Sequence, residues 1–393
     1  MFPRTLLPVL KRQLARFPIV ALTGPRQAGK TTLARHAAGD RPYVSLEDPD
    51  SREYALEDAR GFLAQFPDGA VLDEAQRCPP LFSYLQGIVD TDRRPGRFIL
   101  TGSQQFGMME AITQSLAGRI ALLQLWPFSL AELQAVDAAP PDVDTLLFKG
   151  LFPRLYDQDI APADWFSSYV ATYLERDVRQ LLNVQNLSLF QRFVGLCAGR
   201  VGQLLNIDTL AADTGISRQT ANGWLAVLEA SHVIFLVRPW FANIGKRLVK
   251  TPKLYFCDTG LAVWLLGAKT LEYAASLPQR GALFENWVMT ELRKAQTNVG
   301  LRPELFFLRD QSGHEVDAFM QTAPNTFAAV EVKAGETVAS DFFKGLDYWR
   351  KHLPGQTIHS WLVYGGNQPQ SRERGTVLPW NGLSPLLNAL SAA

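Results

Sequence analysis

Gly24-Pro25-Arg26-Gln27-Ala28-Gly29-Lys30-Thr31 decides how the first third of this chain must fold. Its spacing is G-x-x-x-x-G-K-[ST], a loop whose backbone N–H groups curl around a polyphosphate. Ahead of it, Phe17 to Thr23 is an apolar run that reads as a buried strand. Behind it, Thr32 to Ala38 reads as a helix stopped by Gly39. Strand, glycine loop and helix are the context the motif requires. Gly24 and Gly29 let the backbone turn, and the helix presents its positive end to an anion. Lys30 supplies a point charge for the outer phosphates, and the Thr31 hydroxyl is a ligand for Mg²⁺. The expected contact set is Gly24, Pro25, Arg26, Gln27, Ala28, Gly29, Lys30, Thr31 and Thr32.

Two further segments extend this site. Gly69-Ala70-Val71-Leu72-Asp73-Glu74 is a short apolar strand ending in two acids. Asp73 is expected to hold Mg²⁺ and Glu74 to polarise the attacking water as general base. The gap from Lys30 is what one more strand and helix would fill. Arg97 to Leu100 is a third strand, turning abruptly small and polar at Thr101-Gly102-Ser103-Gln104. Ligands of open α/β sheets bind at the carboxyl ends of strands, so Ser103, or else Thr101, is a candidate partner of the attacking water or γ-phosphate. A polar turn with no catalytic role is the other reading.

Gly24 to Thr31, Asp73-Glu74, Leu100 to Ser103, Leu116-Ala117-Gly118-Arg119 and Trp126-Pro127-Phe128-Ser129-Leu130 together resemble a prokaryotic branch of the AAA+ ATPases. The resemblance implies ATP as ligand, Ser103 at the sensor-1 position and Arg119 as a γ-phosphate sensor or arginine finger. It also implies a homo-oligomer, since such proteins often form rings.

A chain of 393 residues has room for two or three domains. Net charge is +1, so no global field selects nucleic acid or membrane, and any nucleic-acid site must be a local patch. Cys78, Cys197 and Cys257 are far apart and read as plain thiols of a reducing compartment. Pro8, Lys11, Arg12 and Arg16 interrupt the N-terminal segment, and no apolar run approaches the length of a membrane span. The expectation is a cytoplasmic protein with no membrane partner.

The expected divisions are a nucleotide-binding α/β domain over 1–137, a helical connector over 138–188, a winged helix-turn-helix over 189–270 and a second α/β domain over 271–393. Ala138-Ala139-Pro140-Pro141-Asp142 marks the first boundary. The aromatics between Trp165 and Tyr173 have the spacing of core packing on a helix. Ile207 to Gly215 reads as a short helix closed by glycine, and Ser217 caps a second that carries Ala221, Trp224, Leu225 and Leu228 at helical spacing. Val233 to Val237 and a return strand ending at Phe256 complete the winged pattern. Ser217, Arg218, Gln219 and Asn222 are candidates for contact with DNA, with Lys246, Arg247, Lys250 and Lys253 as a basic wing. A protein-interaction module is the alternative.

Residues 281 to 364 carry different chemistry. Glu285 lies early on an amphipathic helix, followed by strands at Glu304–Arg309, Glu315–Met320 and Ala328–Lys333. Side chains alternate along a strand, so Glu331 and Lys333 share a face, with Asp317 available beside them. Glu285, Asp317 and Glu331 would bind Mg²⁺ or Mn²⁺, and Lys333 would orient or deprotonate a metal-bound water. The other reading is a paired charge network on a half-buried sheet. Asp317 followed by Glu331-x-Lys333, with Glu285 on the preceding helix, resembles the PD-(D/E)XK nuclease superfamily, although Val316 stands where its signature has proline. That implies a restriction-endonuclease-like α/β domain and metal-dependent cleavage of nucleic acid.

Nearly end to end, the chain resembles bacterial and archaeal ATP-binding proteins that join an AAA+-type ATPase to a C-terminal domain of unknown function. Tyr173 to Asp177 and Lys250 to Leu261 are further features of it. Two functions compete. One is an Mg²⁺-dependent ATPase driving a DNA-directed, nuclease-like module. The other is a nucleotide-regulated switch that binds a protein partner, with an inactive nuclease-like domain.

Overall fold

The computed structural model describes residues 2–102, 108, 112–158, 160–174, 187–240 and 250–391, with the backbone alone at 113, 173 and 174. Ser103, Glu175, Arg176, Asp177, Lys246 and Arg247 lie outside the described residues. The chain divides into two units. The first comprises Met1–Phe128, Ala230–His232 and Thr297–Leu301, and the second Ser129–Glu229, Val233–Gln296 and Arg302–Ala393.

Five strands build the first unit: β1 (Ile19–Thr23), β2 (Tyr43–Ser45), β3 (Ala70–Asp73), β4 (Phe98–Thr101) and β5 (Ile120–Gln124). All pairings are parallel, in the order β2-β3-β4-β1-β5. Every residue of β1, β3 and β4 is buried, as expected of strands covered on both faces. The helices are α1 (Leu7–Leu14), α2 (Lys30–Ala38), α3 (Pro49–Glu57), α4 (Ala59–Ala64) and α5 (Pro80–Thr91). One core packs Phe62, Leu63, Phe82 and Leu85 against Ile19, Leu72 and Phe98. The other packs Leu10, Leu33 and Ala34 against Val20, Val71 and Leu123. Between α2 and β3 the chain inserts β2 and two helices, one helix more than the spacing suggested. Asp48 and Asp58 each cap one of them, and the second cap breaks what would otherwise continue as a single helix.

The second unit begins with short helices: α6 (Leu130–Gln134), α7 (Val143–Lys149), α8 (Arg154–Asp157) and α9 (Pro162–Tyr169). Ser129 and Glu132 form a reciprocal capping box at the start of α6. The aromatic spacing around Trp165 is indeed core: Trp165 stacks on Tyr169 at 5.0 Å and tilts against Phe152 at 4.8 Å. Next come α10 (Leu187–Ala198), α11 (Ile207–Thr214) and α12 (Arg218–Ala230). Asn206 caps α11, Gly215 ends it with φ +85°, and the Ser217 hydroxyl accepts from the Thr220 N–H at 3.0 Å to start α12. The apolar face of α12 meets α10, with Trp224 edge-on to Phe190 and Phe193.

Strands β6 (Ile234–Pro239) and β7 (Lys253–Phe256) pair as the expected antiparallel hairpin. They do not stand apart as a wing. Arg238 and Pro239 pair in parallel with β8 (Phe306–Arg309), so the hairpin is the edge of an eight-stranded sheet. Its order is β12-β13-β11-β10-β9-β8-β6-β7, with β9 (Glu315–Ala323), β10 (Thr326–Lys333), β11 (Thr357–Tyr364), β12 (Gln370–Arg372) and β13 (Gly375–Pro379). Its helices are α13 (Thr259–Leu265), α14 (Leu271–Ala275), α15 (Arg280–Asn298), α16 (Lys344–His352) and α17 (Ser384–Ser391). Cys78, Cys197 and Cys257 are free and buried. Among the described residues no helix is long and apolar enough to cross a membrane.

Asp258 joins the short helices to the sheet region. Its carboxylate accepts from the Leu151 N–H at 2.6 Å and, as cap of α13, from the Leu261 N–H at 3.2 Å. Burial raises its pKa to about 6, against the pull of those N–H groups downward. The folded state therefore holds this proton to higher pH than the unfolded chain, so the carboxyl's contribution to stability falls as pH rises from about 4 to about 6. Chemical denaturation of wild type and Asp258→Asn across that range should show this slope, up to about 3 kcal/mol from the size of the shift, in wild type only.

Candidate functional site

The carboxyl ends of β1, β3 and β4 open on one edge of the first sheet. Ser45 is level with Asp73, Leu72 with Leu100 and Leu22 with Thr101, so the last residues of three strands converge. The loop between β1 and α2 occupies this edge. Gly24 has φ +141°, and a Cβ there would stand 2.0 Å from the Leu125 carbonyl oxygen, so only glycine lets the loop pass. Gly29 takes φ +93° at the cap of α2 and has no side chain with which to cap it. N–H groups at a helix start are suited to an anion.

Lys30 is 6% exposed, and its ammonium donates to the carbonyls of Gly24 at 3.0 Å and Pro25 at 2.7 Å. Lys30 is thereby held against the loop it serves. Pro25, Arg26 and Ala28 are buried, Gln27 and Gly29 half-buried, and Thr32 exposed. Gln27 has φ +60°, a left-handed turn that a non-glycine residue adopts only at a cost.

Asp73 ends β3 at the centre of the site, 8% exposed. The Thr31 hydroxyl donates to its carboxylate at 3.0 Å and the Tyr43 hydroxyl at 2.8 Å, and the Thr101 hydroxyl donates to it as well. Burial, then the neighbouring Asp73, pushes the Tyr43 phenol up to about 12, which keeps it a donor. Thr31 and Asp73 place two hard oxygen ligands side by side, and the Gly24 cradle is shaped for phosphate, so the residues fit Mg²⁺ and a nucleotide. Glu74 follows with φ +53°, its backbone N–H directed at the Thr101 hydroxyl at 3.4 Å and its carboxylate accepting from the Gln76 amide.

Three contributors escaped the sequence reading. Tyr43 and Gln76 carry no motif; the pairing of β2 with β3 brings Tyr43 to the site, and Gln76 stands two residues after Glu74. Arg4 lies twenty residues before the loop and is 8% exposed. Its guanidinium donates to the Ala28 carbonyl at 2.7 Å and the Trp126 carbonyl at 2.5 Å, bracing the loop from beneath. Thr101 makes the contact with Asp73, and Ser103 lies outside the described residues. Arg119 does not reach this network: it forms a two-point ion pair with Asp90 of α5, Nε at 2.6 Å and Nη2 at 2.9 Å, on the surface.

In the second unit the other predicted acids do come together. The Val332 N–H donates to Asp317 at 2.8 Å, Lys333 donates to Glu331 at 2.6 Å, and Tyr255 donates to Glu285 at 2.6 Å. Lys253 is not on a basic wing. It is 2% exposed, with its ammonium 2.9 Å from Glu285 and 3.7 Å from Asp317 and paired with Glu315. Strand alternation explains the difference, since Lys253 and Tyr255 share the face of β7 that Glu285 meets. Burial, then the charge of Asp317, raises Glu285 to about 7 and Glu331 to about 8. Burial alone would lower Lys253, but Tyr255, Glu285, Asp317 and Glu315 outweigh it and hold the ammonium charged. Among the described residues no group of three or more His, Cys, Asp or Glu is arranged to hold a metal ion. As placed, the acids do not fit a divalent cation.

Residues 16–134 match an AAA domain, 140–272 a domain of unknown function, DUF8612, and 280–383 a second, DUF4143. The first unit thus contains a P-loop, AAA-type ATPase domain. Over 332 residues the chain is 33% identical to Uncharacterized protein Rv2008c of Mycobacterium tuberculosis, covering 84% of this chain and 73% of that one. Uncharacterized protein Mb2031c of Mycobacterium bovis matches equally, and the chain belongs to the family of these two proteins. Among solved structures it is similar to the Walker-type ATPase PABY2304 of Pyrococcus abyssi, at 16% identity and a TM-score of 0.46, over 67% of this chain and 96% of that one. AMPPCP-bound DnaA from Aquifex aeolicus follows at 13% identity and a TM-score of 0.29, over 56% and 86%. At these scores the likeness adds nothing to the strand order and loop geometry.

Arg4→Ala removes a donor from the Ala28 and Trp126 carbonyls. It should weaken binding of an ATP analogue roughly ten-fold and lower stability by about 1–3 kcal/mol. Titration of a fluorescent analogue and thermal unfolding check the two effects separately.

Proposed function

We propose that the chain is an Mg²⁺-dependent ATPase whose nucleotide cycle changes the conformation of a DNA-directed C-terminal region with a nuclease-like fold. The observation that carries the first half is the convergence of Thr31, Tyr43 and Thr101 on Asp73 beside the Gly24 loop. The loop N–H groups and the α2 N-terminus cradle the phosphates, and Lys30 neutralises charge on the outer ones. Thr31 and Asp73 would hold Mg²⁺, which when bound offsets negative charge on the β- and γ-phosphate oxygens. Glu74 accepts a proton from the attacking water, and Gln76 holds that carboxylate in place. Thr101 fixes Asp73 against rotation. Arg119, paired with Asp90, acts as a finger only if a neighbouring subunit of a homo-oligomer draws it away.

What supports DNA as the target is the start of α12. Ser217, Arg218, Gln219 and Asn222 are exposed there, and Lys250 is exposed ahead of β7. Arg218 makes a surface pair with Asp208 at 3.1 Å, which a phosphate can replace. The competing reading is a nucleotide-regulated switch whose helix-turn-helix binds a protein.

Lys30→Ala should abolish nucleotide binding. Glu74→Gln should keep it and slow turnover about 10²- to 10⁴-fold. Phosphate release and equilibrium binding separate the two, and unchanged turnover in Lys30→Ala would sink the proposal. DNA binding should weaken steeply with salt and weaken further in Arg218→Ala. Salt-independent or absent binding points instead to the protein partner.

A further inference from the structure

Glu285 of α15, Glu315 and Asp317 of β9 and Glu331 of β10 form a cluster of buried and half-buried charge in the second unit. Their side chains are 10–20% exposed. Acids this shielded stay charged only if a cation or a set of donors compensates them. Here both come from the chain. The Lys253 side chain, 3% exposed, directs its ammonium at three of the four: Glu285 at 2.9 Å, Glu315, and Asp317 at 3.7 Å. An ammonium has three N–H donors and no acceptor; here it meets Glu285 and Glu315 directly and Asp317 at ion-pair distance.

Further donors meet each acid: Tyr255 donates to the same Glu285 oxygen, Oε1, that Lys253 meets, Arg309 to Oε2 of Glu315, the Val332 N–H to Oδ2 of Asp317 and Lys333 to Oε1 of Glu331. Oε2 of Glu331 is buried with no hydrogen-bond partner among the described residues. Four acids thus face three cations, Lys253, Lys333 and Arg309, all supplied by the chain. Lys253 is also hard to displace. It starts β7, whose next residues, Leu254 and Tyr255, are fully buried. Val237 of β6 stands level with it, and β6 in turn pairs with β8. Strand pairing thus fixes the backbone from which the Lys253 side chain reaches the cluster.

We infer that Lys253 is the resident cation of this cluster: its ammonium takes the place a divalent metal would need, so the C-terminal unit folds without metal and does not cleave phosphodiesters. The same contacts latch the β6–β7 hairpin to β9 and to α15. This goes beyond the ATPase reading and stands independently of it. The cluster works as a joint between the helix-turn-helix segment and the large sheet, and any nucleic acid held there is bound and not cut.

Mn²⁺ titration followed by electron paramagnetic resonance tests this without nucleotide, in a chain carrying Asp73→Asn to silence the first site. Adding Asp317→Asn should leave the Mn²⁺ isotherm unchanged, because no metal binds there to be lost. Mn²⁺ bound by the Asp317 chain and lost in Asp317→Asn overturns the inference. Adding Lys253→Ala instead should create one new Mn²⁺ site, which a further Asp317→Asn removes. A folded Lys253→Ala chain with no gained site also overturns it. Should Lys253→Ala fail to fold, the Asp317→Asn comparison decides alone. ATP turnover of Asp317→Asn with Asp73 restored should equal wild type, which keeps this result separate from the ATPase reading.

Discussion

The carboxylate of Asp73 is the point on which the nucleotide site depends. It accepts from the Thr31 hydroxyl at the start of α2, from Tyr43 on β2 and from Thr101 at the end of β4. One buried anion thus ties the phosphate loop to two neighbouring strand ends. Hydrogen bonds to a charged acceptor are stronger than neutral ones, and their shielding from water adds to that. The loop itself rests on a second constraint, the approach of Gly24 to the Leu125 carbonyl, which no residue with a Cβ tolerates. Arg4 completes the support by holding the Ala28 carbonyl from below. The site is pre-organised by contacts that do not include its ligand.

The second unit solves a different electrostatic problem. Acids near the junction of α15, β9 and β10 need compensation, and the chain supplies it from β7 and from Lys333 on β10 itself. Burying such a network is rarely a large gain in stability over an apolar core. Its value lies in specificity, because a lysine that must meet Glu285, Glu315 and Asp317 fixes where the hairpin edge can join the sheet. A second buried pair, Lys294 with Glu291 at 2.9 Å, acts similarly, since Glu291 also accepts from the Leu130 N–H at 3.1 Å.

Much of the fold was legible because it rests on local rules. The strands β1, β3 and β4, the helix after the loop, the caps at Ser217 and Gly215, and the β9–β10 pair all follow from apolar runs, glycines and side-chain alternation. The pairing of Glu331 with Lys333, and Asp317 beside them, follows from the two-residue period of a strand. What stayed hidden was long-range. Tyr43 reaches Asp73 only because β2 lies next to β3, and nothing near Tyr43 in sequence announces it. Lys253 reads as one of a row of basic residues. Its inward direction depends on which face of β7 meets α15.

By itself, the sequence determined the phosphate loop, the acid pair at Asp73-Glu74, the helix-turn-helix pattern and the grouping of Glu285, Asp317, Glu331 and Lys333. Each is set by backbone freedom, capping or periodicity within a few residues. Only the tertiary structure decided which hydroxyls converge on Asp73, that the hairpin continues an eight-stranded sheet and that Lys253 lies among the second unit's acids. Those outcomes depend on strand order and on the pairing of charges that water no longer screens, and neither is written in any local stretch of chain.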